Sequence, residues 1–144
     1  MIRRLARTSA ILYLLLVGCD QMDKLENYYA HYAEAEAGGA IAYGLVPTAL
    51  PKSAQRIQVV QRHEGNEVLA MFLYDPKDSA GMVSKCEIIT PDTLRLPELT
   101  TEWWPNELKS KSYLTPNYQY FRCPADGGFL ALDVKQALAY FWRL

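Results

Sequence analysis

Histidine is scarce in this 144-residue chain: His31 and His63 are the only two. Neither stands in a metal-binding motif, so no metal is expected. Ser53 lies outside any G-x-S-x-G elbow, and no glycine-rich phosphate loop occurs. Glu34 and Glu36 are two residues apart, so on a helix they point to different faces and do not form a working carboxylate pair. An enzyme needs a base, nucleophile or metal with partners in reach, and none is visible. The expectation is a non-enzymatic protein without cofactor. Basic excess is also missing, with 15 Lys and Arg against 16 Asp and Glu, which argues against nucleic acid as a partner. No internal repeat or low-complexity tract is present. The uncharged stretch from Thr8 to Cys19 is shorter than the roughly 20 apolar residues of a membrane-spanning helix.

What is present begins with an export signal. Arg3, Arg4 and Arg7 form a positive n-region, Ala10 to Val17 an apolar h-region, and small residues follow. The sequence Leu16-Val17-Gly18-Cys19 resembles the lipobox of bacterial lipoproteins. That resemblance implies cleavage between Gly18 and Cys19, with acyl chains on Cys19, because only a thiol there forms the thioether. Two or three acyl chains hold a protein stably on its bilayer, whereas one holds it marginally. The expected division is a leader over residues 1–18 and one domain over 19–144, anchored to the membrane through Cys19. Asp20 has two readings. It resembles the inner-membrane retention signal of Gram-negative lipoproteins, which favours the periplasmic face of the inner membrane over the outer membrane, and it also suits the start of a helix. The leader carries three of the 15 basic residues and no acidic one, which leaves 12 against 16 and a formal charge of −4.

Half of the chain is apolar or aromatic, enough for a substantial core. Leu25, Tyr29, Tyr32 and Ala33 fall at helical spacing, and AHYAEAEA has high helix propensity, so an N-terminal helix is expected to bend at Gly38-Gly39 or end near Tyr43. Gln55–Arg62 and Glu67–Asp75 read as strands joined by a turn at residues 63–66. The second is apolar on both faces, as in a central strand. A helical turn is expected over Asp78–Val83 and another around Asn106–Lys109. The segments YQYFRC, GFLALDV and ALAYFWRL read as three more strands. Residues 90–117, with prolines at 91, 97, 105 and 116, form a loop long enough to suggest function or mobility. The expected fold is α+β, with the N-terminal helix packed on an antiparallel sheet of about five strands.

Gly44, VPTALPKSAQRI, FLYDP, Trp103-Trp104-Pro105 and LALDV…AYFW together resemble a group of small bacterial lipoproteins. The resemblance spans about 100 residues and implies this fold without any chemistry. Members often carry Asp-x-Asp-Thr-Asn in the first hairpin, where this chain has HEGNE. Of the three cysteines, lipidation occupies Cys19. Cys86 and Cys123 remain on the exported side, where oxidising conditions favour a disulfide. Trp103 and Trp104 are the candidate recognition residues, since tryptophan is enriched at interface hot spots. The alternative is that one of them plugs the core and the other covers it. Tyr118 with Tyr120, and Tyr140 with Trp142, each share one strand face, as core residues do. His63 and Glu64 read as a solvated turn, and His31 as a surface residue. The expected function is a membrane-anchored envelope lipoprotein that binds an unknown envelope protein or aids an assembly. The alternative is a module that binds a small ligand or cell-wall fragment through the aromatic loop.

Overall fold

A computed structural model describes residues 23–144. The expectations placed on Gly18, Cys19 and Asp20 lie outside the described residues. The fold is a seven-stranded antiparallel sheet: β1 (Lys24–His31), β2 (Gln55–Arg62), β3 (Val68–Leu73), β4 (Glu87–Ile88), β5 (Tyr118–Cys123), β6 (Gly128–Asp133) and β7 (Leu138–Arg143). Two short helices accompany it, α1 (Tyr32–Ala37) and α2 (Ser79–Val83). The strand order is β1-β2-β3-β7-β6-β5-β4. An N-terminal three-stranded meander and a C-terminal four-stranded one are therefore joined side by side through β3 and β7.

The expected N-terminal helix on a five-stranded sheet is corrected in two places. Residues 24–31 form a strand, which pairs with β2 from Lys24 opposite Arg62 to His31 opposite Gln55. A lone helix this short is marginal in water, while the free edge of β2 offers a full ladder of backbone partners. Tyr28 and Tyr29 also suit a pleated surface. Helix begins only at Tyr32 and ends at Gly38, just before Gly39 turns the chain at φ +80°. The second addition is β4, a two-residue strand that lies beside Phe121 and Arg122 of β5. Its position follows from the disulfide between Cys86 and Cys123, whose Cα atoms are 4.3 Å apart. This is the pairing expected from the sequence. Among the described residues no helix is long and apolar enough to cross a membrane.

Both faces of the sheet are covered, because alternation sends apolar residues each way. One face carries Ile57, Val59, Val68, Ala70, Phe72, Leu130, Leu132 and Phe141, packed against Ala35, Val46, Leu50 and Met82. Its cover is residues 32–54 together with α2. The other face carries Val60, Leu69, Tyr120, Ala131, Tyr140 and Trp142, packed against Leu94, Leu99, Trp104 and Leu108. Residues 89–117 are thus a second cover, with no regular element longer than a three-residue 3-10 turn. As expected of a central strand, β3 lies between β2 and β7, with Leu69 and Phe72 fully buried on opposite faces.

Gly44 lies at the rim of the first cover, at φ +68°. Its carbonyl accepts from Arg143 Nη1 at 3.0 Å, and a Cβ there would meet that nitrogen at 2.6 Å. The left-handed backbone conformation favours glycine here, while the close approach is to the flexible end of the Arg143 side chain, which can shift.

Candidate functional site

The two adjacent tryptophans have different environments. Trp104 is 2 % exposed and stands edge-on to three rings: Tyr140 at 5.7 Å, Trp142 at 5.9 Å and Trp103 at 6.1 Å. Such edge-to-face pairs add about 0.5–1.5 kcal/mol each beyond burial. Its indole Nε1 has no acceptor among the described residues, so this N–H carries a desolvation cost. Trp104 is the core plug.

Trp103 is only partly buried, at the boundary between two hollows. The larger, an open groove of about 770 Å³, is lined by Lys24, Glu26, Thr100, Glu102, Trp103 and Lys109. The smaller, of about 270 Å³, is lined by Asn27, Tyr28, Gln58 and Trp103 among others. Tyr28 is 59 % exposed, which gives the rim a second aromatic surface. The Gln58 Oε1 is buried without a donor among the described residues. Two bonds fix the geometry where the loop meets β1. Lys24 Nζ donates to the Thr100 carbonyl at 2.9 Å, and Thr101 Oγ1 donates to Glu26 Oε1 at 3.1 Å. The Leu99 N–H also donates to the Glu67 carboxylate. Residues 99–101 are therefore tied by side chains to β1 and to the residue just before β3, although they contain no regular structure.

The tyrosines beneath the loop are structural hydrogen-bonding groups rather than bases. The Tyr120 hydroxyl donates to the Thr115 carbonyl at 2.8 Å and accepts from the Thr115 N–H at 3.2 Å. Burial raises the Tyr118, Tyr120 and Tyr140 hydroxyl pKa values above the ordinary one, and the negative charge of Glu107 adds to the shift in each. All three remain protonated at neutral pH.

Each remaining sequence candidate has a definite place. His63 and Glu64 are exposed in the β2–β3 turn. His31 is exposed at the end of β1, 3.6 Å from Glu34. Ser53 anchors a corner: its hydroxyl donates to Asp78 Oδ2 at 2.5 Å and accepts from the Asp75 N–H at 3.0 Å. Among the described residues, no group of three His, Cys, Asp or Glu side chains could hold a metal ion. Sequence reasoning missed Lys24, Glu26 and Tyr28 as partners of Trp103. Only the β1 pairing brings them under the loop, and no local signal marks that pairing.

Two of the three comparisons with known proteins returned nothing: no curated protein and no solved structure matches the chain. Residues 23–73 match the YbbD head domain family, a small bacterial domain family, and that segment runs from the residue before β1 to the end of β3, so the N-terminal meander and its cover are similar to a YbbD head domain.

Proposed function

We propose that this chain is a non-enzymatic, lipid-anchored binding protein of the bacterial envelope whose recognition surface is the Trp103 groove. The ligand class is an uncharged saccharide, as in a cell-wall fragment. The observation that carries this reading is the separation of the two tryptophans: Trp104 supplies the packing, and Trp103 is left with ring surface between two hollows. Ligand sites combine an apolar surface with a few convergent polar groups, and this rim has both. The larger groove offers Lys24 and Lys109 as donors and Glu26 and Glu102 as acceptors. Their formal charges cancel, so the groove has no dominant sign with which to select an ion. A hydroxyl-rich ring fits that balance, with its apolar face on an indole and its rim of hydroxyls on carboxylates and ammoniums. The lipobox at Leu16–Cys19 and the similarity to a bacterial domain family support an envelope location for such a module.

Isothermal titration of the protein with a soluble oligomer of N-acetylglucosamine tests the reading. Binding should be saturable, and Trp103→Ala should weaken it at least tenfold without changing the fold. No binding by the parent protein, or equal binding by the variant, would refute it.

A further inference from the structure

The two edges of the sheet are finished differently. At one edge, β4 is only two residues long. It is flanked by the disulfide and by the ion pair from Arg122 Nη2 to Glu87 Oε2 at 2.6 Å. Short, charged edges of this kind resist pairing with another chain. At the other edge, β1 runs for eight residues without proline or glycine. Its register with β2 is continuous from Lys24 to Tyr29, so no bulge twists it away.

The ladder shows which backbone groups of β1 are turned outward. The His63 N–H donates to the Asp23 carbonyl at 2.7 Å, and the register pairs residue 25 with 61 and 27 with 59. Odd-numbered residues therefore exchange hydrogen bonds with β2, and even-numbered ones point their N–H and C=O groups away from it. Ala30 confirms the parity, because its N–H leaves the sheet to donate to Glu34 Oε2 at 2.8 Å. Glu34 thus blunts one end of the edge. The outward groups of Lys24, Glu26 and Tyr28 have no such cap among the described residues, and Leu25 and Tyr28 are 45 % and 59 % exposed.

We propose that this edge is the contact surface for a second copy of the chain, paired antiparallel along β1 about a two-fold axis at Asn27. The strand is self-complementary in that register. Asn27 meets Asn27, Glu26 meets Tyr28, Leu25 meets Tyr29 and Lys24 meets Ala30, so no like charges lie opposite one another. Centring on Glu26 would set two carboxylates face to face, which is destabilising. Centring on Leu25 or Tyr28 would run the overlap off one end of the strand. Asn27 also lies near the middle of β1, which gives the longest ladder. An isologous contact requires a surface that complements itself, and this one does. Paired strands keep their side chains on matching faces, so both Trp103 grooves would flank the seam on one side of a continuous sheet. The pairing stands independently of what the groove binds, since a monomer could bind a saccharide equally well.

The test uses the full chain with one added cysteine. The two Asn27 residues would form a non-hydrogen-bonded antiparallel pair, where Cα atoms approach about 4.5 Å, within disulfide range. Under mild oxidation, Asn27→Cys should give a covalent dimer at least tenfold faster than Glu64→Cys, an exposed control in the β2–β3 turn. The parent protein, which reports any linkage through Cys19, should give none. Sedimentation should show the parent at twice the monomer mass. Tyr28→Pro should be monomeric, because it removes an outward N–H and leaves the β2 ladder intact. A monomeric parent, a dimeric Tyr28→Pro variant, or equal crosslinking at positions 27 and 64 would overturn the proposal.

Discussion

The two covers of the sheet do the same job by different means. The first, residues 32–54, is an insertion between β1 and β2, which pair from Lys24 to His31, so both of its ends are held by one long ladder. The Tyr32 N–H closes its base by donating to the Ala54 carbonyl at 3.1 Å. Inside it, short-range backbone bonds follow one another: Ala40 to Ala35, Leu45 to Ala40, Leu50 to Pro47 and Ala54 to Pro51. The second, residues 89–117, lies between β4 and β5, and the ladder at its base is short: Glu87 opposite Arg122, Ile88 opposite Phe121, and the Ile89 N–H donating to the Tyr120 carbonyl at 3.0 Å. The Cys86–Cys123 bond and the Arg122–Glu87 ion pair reinforce that short base. Side chains of the sheet then hold its length, with Trp142 Nε1 donating to the Arg95 carbonyl at 2.7 Å, Glu67 accepting from Leu99, Lys24 donating to Thr100 and Tyr120 bonding both backbone groups of Thr115. An irregular segment can lie over a core only if its polar backbone is satisfied, and here the sheet reaches up to satisfy it. The contrast teaches that a cover built this way can hold a partly exposed side chain such as Trp103 in place without a helix to position it.

The strongest challenge to the contrast is to remove the plug. Trp104→Ala should cost roughly 3–5 kcal/mol, measured by denaturant unfolding. Trp104→Phe should cost much less, because it keeps a ring and removes the orphaned N–H. Equal losses would show that the plug does not act through packing. Alkaline pH should loosen the second cover next. Tyr118, Tyr120 and Tyr140 all have folded pKa values above the ordinary 10.0. The unfolded chain therefore releases these protons first, and stability is intact below about pH 10 and falls as pH rises through the folded values. A melting temperature unchanged through that window would contradict the burial of these hydroxyls. Tyr120→Phe leaves both groups of Thr115 without their partner and should cost about 1–2 kcal/mol. The smallest effect belongs to Trp103→Ala, at about 1 kcal/mol, because it loses one edge-on contact with Trp104 and only part of a buried side chain. A loss comparable to that of Trp104→Ala would merge the two tryptophans into one core and remove the basis for the groove.

The five strands β2, β3, β5, β6 and β7 are legible in the sequence because alternation, turn residues and β-branched or aromatic content agree there. The two short-range 3-10 and helical turns around residues 79–83 and 106–108 are legible for the same local reason. β1 is not. Leu25, Tyr29 and Tyr32 satisfy a helical period, and what decides for strand is the open edge of β2, some 30 residues further along the chain. The roles within the aromatic loop are hidden for a related reason. Trp103 and Trp104 have the same residue type and the same local setting, and outside a strand no parity separates them. Their difference is set by Tyr140 and Trp142 on one side and by Lys24 and Glu26 on the other, all far away in sequence. The disulfide is legible because the cysteine count, taken with the expectation of an oxidising compartment, constrains it without reference to shape.

Backbone hydrogen exchange with the Cys86–Cys123 bond intact and then reduced tests the central comparison most directly. If the bond does for the second cover what the β1–β2 ladder does for the first, reduction should speed exchange across residues 89–117 and leave residues 32–54 at their former rates. Equal acceleration in both covers, or none in either, would contradict the account.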